Sequence, residues 1–311
     1  MGIVNGQTAD ANDFKNASAG AADAGKGVLL DANGNISNTM LRRGGDGADG
    51  AFNISSGTTT LSFASANLLI KNYTSFTISG TATLAFSNPH ANGSGLIAYV
   101  QGNLTLTSTA TRGIDLRSMG ATGGAGYVSG GYICGDGGRG AGFIHFEVGG
   151  TINIAAAFTA DLSGANGGNA SSGGAIAGGG GAGGGGSFTA IGDTITANAG
   201  TINTAGGNQG SSITSGGCTG TNNATAGTDS YGNIGTIAGG TAQGGATKTT
   251  TAPRFFSSYV IGGYIFMAAG AGGGGGGASG CSTSAGGDGY GASLTSKAGF
   301  SLVTTWGKIT R

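Results

Sequence analysis

Residues 173 to 188 read GGAIAGGGGAGGGGSF, and similar glycine tracts recur from residue 117 onward. This feature constrains the fold more than any other. Fixing the backbone of one residue costs on the order of 1–2 kcal/mol, and glycine has the most freedom to lose. A long glycine tract therefore stays ordered only if its amides and carbonyls find partners. Two outcomes follow from the residues. Without Cβ atoms, extended chains of polyproline II geometry can lie side by side and bond laterally. Otherwise the tracts are mobile surface loops. Ile133, Ile176, Ile234 and Ile237 interrupt the tracts where a linker would carry Ser or Glu, and this favours packing.

Collagen is excluded, because 73 glycines are accompanied by only two prolines and follow no three-residue period. A linker is needed once, between unlike units, whereas these tracts sit at equivalent places in similar units. YVQGNLTL (99–106) aligns with EVGGTINI (147–154), and downstream MGATGG (119–124) aligns with SGANGG (163–168). AIGDTITA (190–197) followed by TAGGNQG (204–210) is a weaker copy, and GGYIFMAAGAGG (262–273) is a truncated candidate for a fourth. Each unit is an apolar strand, a glycine-containing turn, a second strand and a glycine tract. Repeats of this size signal stacked arrays in which no unit buries its apolar face alone.

The chain divides into three zones. Residues 1–50 are polar and rich in Ala and Gly, and TADANDFKNASAGAADAGK carries a thin apolar stripe compatible with a short helix. Residues 51–116 contain TTTLSFASANLLI, YTSFTISGTATLAF, GLIAYVQGNLTLTST and GIDLRS, with the partial alternation of strands. Residues 117–311 form a glycine-rich repeat region, whose closing GFSLVTTWGKITR reads as a cap over the last apolar layer. The expected fold class is all-β with little helix, either a β-solenoid or a stack of β-sandwiches, with polyglycine-II-like layers.

Thirteen basic residues balance thirteen acidic ones, and charged residues make up 8% of the chain. A nucleic-acid partner is not expected, since phosphate binding needs a basic face. No apolar run approaches the length of a membrane-spanning helix, and MGIVNGQTADANDF has no signal-peptide pattern. Cys134, Cys218 and Cys281 are widely spaced without a CxxC, so free thiols are expected rather than a zinc or redox site.

The chemistry-bearing residues are few. GAADAGKG (20–27) has P-loop spacing, but Gly27 stands where a magnesium-binding hydroxyl belongs. GGDGADGAF (44–52) approaches a calcium-binding nonapeptide with Asp49 at a ligand position, yet a single copy supplies half a site and reads as an Asp/Gly turn. Glu147 is the only glutamate, and Asp115 and Asp161 stand at comparable places in successive units, which suggests a repeated turn rather than a catalytic pair. Of the two histidines, His90 and His145, the second lies in the apolar strand FIHFEV. No GxSxG or HExxH occurs, so no enzyme, metal or cofactor is expected. Tyr127, Tyr132, Tyr231 and Tyr290 lie among Gly, Ser, Asn and Asp, the composition of adaptable binding loops; with Arg139 they are the candidate receptor-contact residues.

IVNGQTADANDF, near the N-terminus, resembles the start of many bacteriophage tail-fibre and virion-appendage proteins. NTMLRRGGDGADGAFNI (38–54) is similar to an L-R-R-x-G-D-x-M-T-G-x-L element of such fibres, departing at Ala48 and Asp49. The tracts are similar in character to those of glycine-rich phage tip adhesins, in which polyglycine II helices form a bundle with receptor-contacting loops at its end. The resemblance implies a virion location, a homo-oligomer with a trimer favoured, and attachment to other virion proteins through residues 1–50. It also implies recognition of a host surface glycan or outer-membrane receptor. A fibre-borne polysaccharide depolymerase, with Asp115, Asp161 or Glu147 in a groove, is the alternative. A self-assembling surface filament is the third reading.

Overall fold

The computed structural model describes residues 44–126, 128–129, 132–171, 177–211 and 300–305. It also describes short strand pairs joining 3–4 to 7–8, 14–15 to 27–28, 259–260 to 263–264 and 277–279 to 282–284. Among these residues the protein is all-β, with no helix and three parallel five-stranded sheets.

The chain visits the three sheets in rotation. Leu68–Tyr73 belongs to the first sheet, Ser75–Ile78 to the second and Thr83–Ser87 to the third. The next circuit repeats this order with Gly95–Val100, Leu104–Leu106 and Ile114–Asp115. Phe143–Val148, Thr151–Ile154 and Thr159–Asp161 follow, then Ser187–Gly192, Thr194–Asn198 and Thr201–Asn203. An incomplete circuit at one end supplies Ala51–Ile54 and Thr58–Ser62, and Phe300–Thr305 completes the first sheet at the other. Left-handed glycines make the corner between the second and third sheets: Gly57 has φ 68° and Gly80 φ 54°.

Alternation sends one row of each strand inward. Phe52, Phe76, Leu104, Ile152 and Ile195 are register neighbours in the second sheet, and Leu69, Leu96, Ile144 and Phe188 in the first. They meet in one continuous core, where Phe52 stacks on Phe76 at 4.5 Å and Phe76 meets Phe146 edge-on at 5.0 Å. Strands on either side of residue 116 pair in all three sheets. The composition change at 117 thus marks where the connections lengthen, within a shared core.

The alignment of residues 99–106 with 147–154 matches the register, which pairs Tyr99 with Glu147 and Leu104 with Ile152. The weaker copy is offset. Thr151 pairs with Thr194, but Glu147 pairs with Ile191 rather than Ala190. The corner after Gly192 is one residue shorter than Gly149–Gly150, and a bulge after Ile195 restores the register. The proposed fourth copy also differs: Gly263–Tyr264 pairs antiparallel with Tyr259–Val260, and the strand that extends the first sheet is Phe300–Thr305. At the N-terminus, Phe14–Lys15 is extended beside Gly27–Val28 where a short helix was expected. The thin apolar stripe gives a helix there little to bury.

Candidate functional site

Long connections leave the third sheet and return to the first. Residues 119–126 run outward and 133–142 return; 162–171 run outward and 177–186 return; 204–211 run outward again. Their backbones bond to one another at every third residue. Gly135, Gly138 and Ala141 donate to the carbonyls of Gly178, Gly181 and Gly184, a parallel pairing of the two returning tracts. Gly164, Gly167 and Ala170 donate to Ala205, Asn208 and Ser211, which pairs two outward tracts. Outward and returning tracts pair antiparallel: Gly180, Gly183 and Gly186 donate to Gly168, Ala165 and Leu162. A three-residue period is that of extended chains with three residues per turn.

The glycines are required by close approach. A Cβ on Gly180 would lie 1.8 Å from the Asp136 carbonyl oxygen, and one on Gly135 1.8 Å from that of Gly168. Residues 177–192, which include two runs of four glycines, are buried throughout. Side chains decorate the outside with the same period. Asn166 and Asn169 accept the amides of Asn208 (2.8 Å) and Ser211 (2.9 Å).

Parallel pairing of like tracts brings their outer ends together, where the Ser171 amide donates to the Ile133 carbonyl at 2.9 Å. One turnaround is the hairpin in which Val128 pairs with Ile133 and Ser129 with Tyr132. Val128 is 68% exposed and Ile133 46%. Ile133 thus lies on the surface of the tip rather than among packed glycines. Of the candidate contact residues, the backbone of Tyr132 belongs to this hairpin, whereas Tyr127, Tyr231 and Tyr290 lie outside the described residues. Arg139 lies apart from the tip, midway along a returning tract. Its Nε donates to the Gly120 carbonyl and its Nη2 to that of His90, both at 2.8 Å. Burial lowers its pKa below the ordinary arginine value.

At the base of the bundle, Asp115 and Asp161 are register partners, and Asn203 continues the row. Each caps the backbone two residues on: Asp115 accepts from the Arg117 amide, Asp161 from Ser163 and Asn203 from Ala205. This is the repeated turn that their placement in the sequence suggested. Arg117 binds Asp115 through Nε (2.9 Å) and Nη2 (2.8 Å), and Arg112 Nε lies 2.9 Å from Asp161 Oδ2. Burial raises the Asp161 pKa, but Arg112, the Ser163 hydroxyl and amide, and Arg117 outweigh it and hold the carboxyl below its ordinary value. Beside this network a cleft of about 470 Å³ opens, with Ala85, Phe86, Asp115, Arg117, Met119 and Asn166 in its lining. The sequence reading found the two aspartates but missed the arginines and the cleft. The available signal was the repeated Asp-Leu of Asp115–Leu116 and Asp161–Leu162.

Among the described residues, both histidines and Asp49 are also tied into the scaffold. His145 is 4% exposed, with Nδ1 2.7 Å from Thr189 Oγ1, and burial pushes its pKa down to about 4. His90 Nδ1 lies 3.0 Å from Asn67 Nδ2 and accepts the Asn92 amide. Asp49, in the near-nonapeptide, receives Lys71 Nζ at 2.8 Å and the Asn72 amide at 2.6 Å. Gly44, Gly45, Gly47 and Gly50 all have positive φ there. Cys134 is buried, and Cys218 and Cys281 lie outside the described residues. Comparison with protein-family models, curated proteins and solved structures finds no match to this chain.

Proposed function

We propose that the chain is a bacteriophage fibre adhesin, built as a β-solenoid that carries a polyglycine-II-like bundle and touches the bacterial surface with the bundle's distal turnarounds. The observation that carries this reading is the parallel bonding of the returning tracts, Gly135, Gly138 and Ala141 to Gly178, Gly181 and Gly184. It holds the outer ends of tracts from different circuits together on a stiff support, with Ser171 bonded to Ile133, the arrangement a rigid contact surface needs. Val128 and Ile133, exposed at the hairpin, supply apolar contact area there.

The virion setting rests on the resemblance of residues 3–14 and 38–54 to phage fibres. In that setting residues 1–50 join other virion proteins. Several copies, a trimer in the favoured assembly, turn weak contacts with a host glycan or outer-membrane receptor into firm attachment.

The test is binding of fluorescently labelled full-length protein to a panel of bacterial strains, beside a variant whose residues 127–132 are replaced by Gly and Ser. Binding to some strains, lost in the variant while thermal unfolding is unchanged, supports the proposal. Equal binding by both proteins, or binding to no strain, overturns it. New reducing ends released from host polysaccharide would favour the depolymerase instead.

A further inference from the structure

We propose that the cleft between the third sheet and the base of the glycine bundle is a binding site for a short neutral saccharide, separate from the distal tip. Its volume of about 470 Å³ falls within the range of small-molecule sites. It exists because Ala85 is the register neighbour of Asp115, so a methyl group stands between Thr60 and Asp115 in a row that continues through Asp161 and Asn203. The missing side-chain volume leaves a floor of Ala85 and Phe86 between the wall from Asp115 to Met119 and the wall from Ser163 to Asn166.

The chemistry of the lining selects the ligand class. Asp115 and Asp161 face Arg112 and Arg117 in closed ion pairs, so the cluster of two acids and two bases has no uncompensated charge for an ionic ligand. Arg117 and Asp115 keep side-chain exposures of 40% and 23%, which leaves donors and acceptors side by side at the cleft. Asn166 spends its Oδ1 on the Asn208 amide and retains its NH2 as a donor. Hydroxyl groups that both donate and accept match such a surface, and Met119 offers an apolar patch for the C–H face of a sugar ring. Ser118, in the same wall, holds a left-handed φ of 57°, a conformation that is strained outside glycine and is concentrated at functional sites.

The experiment is saturation-transfer NMR and calorimetry on the full chain. Maltotriose, cellotriose and chitotriose serve as neutral probes, and trigalacturonate as the anionic counterpart. At least one neutral trimer is expected to bind, and Ala85→Phe, which fills the floor, is expected to weaken it about tenfold or more with unchanged thermal unfolding. If Ala85→Phe does not fold, Ala85→Val provides the milder filling. Asp115→Asn leaves Arg117 with less compensation and is expected to shift preference towards trigalacturonate. Absence of binding by every neutral probe, equal binding after the floor is filled, or a wild-type preference for trigalacturonate would each overturn the proposal. Cell binding by the distal tip is a separate readout, since the floor-filling variants leave residues 127–132 intact.

Discussion

Replacing Gly180 with alanine tests whether the glycine bundle is a packed layer. The new methyl carbon would stand 1.8 Å from the Asp136 oxygen, 2.3 Å from its carbonyl carbon and 2.9 Å from the Gly137 nitrogen. All three are backbone atoms, so no side chain can swing aside. Restoring ordinary contact requires the 133–142 tract to retreat by roughly 1.5 Å. That movement breaks the flanking bonds from Gly135 to Gly178 (2.9 Å) and from Gly138 to Gly181 (2.8 Å). The acceptors lie in a fully buried tract, and each unsatisfied group costs about 1–3 kcal/mol. Alanine returns about 0.4–1 kcal/mol by restricting the unfolded chain. The net expectation is a loss of roughly 2–5 kcal/mol in urea denaturation, with loss of hydrogen-exchange protection at Gly135 and Gly138. Ala182→Gly is the comparison in the same tract, because its methyl group is already accommodated with no exposure. It should cost only about 1 kcal/mol. The reasoning fails if Gly180→Ala unfolds at the wild-type urea concentration, or if wild-type amides 177–186 exchange as fast as in an unstructured peptide.

Other consequences can be measured on the same protein. The buried His145 has its pKa pushed down to about 4, whereas in the unfolded chain it takes a proton below its ordinary 6.5. Stability should therefore fall as pH drops from 6.5 to 4, by about 3 kcal/mol from this residue, and show no further His145 contribution below that. The stability difference between wild type and His145→Gln, followed from pH 7.5 to 4, isolates the effect; a constant difference would contradict it. Arg139→Lys keeps the charge but cannot span the carbonyls of Gly120 and His90, and should lower stability by about 1.5–3 kcal/mol. Faster proteolysis near residues 88–94 would accompany the loss, and an unchanged melting profile would count against the tie. Asp161→Asn should cost about 1–3 kcal/mol at neutral pH by weakening the bonds to Arg112 and Ser163. Because the Asp161 carboxyl is held below its usual pKa of 3.8, the penalty should shrink as pH falls through the folded pKa. A penalty independent of pH would show that the charge is not what matters.

Strand positions from residue 58 to 118 were legible because Thr, Leu, Ile and Phe alternate there with a period of two, and alternation is a local property of the chain. The pairing of 99–106 with 147–154 was legible as well, since stacked circuits expose equivalent positions to equivalent neighbours. The repeated placement of Asp115 and Asp161 announced a turn for the same reason. Other features depend on atoms distant in sequence. The offset at Glu147 and Ile191 arises from one missing corner residue and a later bulge, which cancel and leave little trace in composition. The cleft needs Ala85, Asp115 and Asn166 to meet across three circuits. GGAIAGGGGAGGGGSF is the clearest case. Its residues are compatible with a tether or with a packed layer, because a residue without a side chain has no means of naming its partner. Tertiary structure decides between them: the carbonyls of Leu162, Ala165 and Gly168 stand where the amides of Gly186, Gly183 and Gly180 can reach them. Those three donors must lack a Cβ, because one on Gly180, Gly183 or Gly186 would lie 1.8, 2.1 or 1.8 Å from a backbone oxygen of the neighbouring tract.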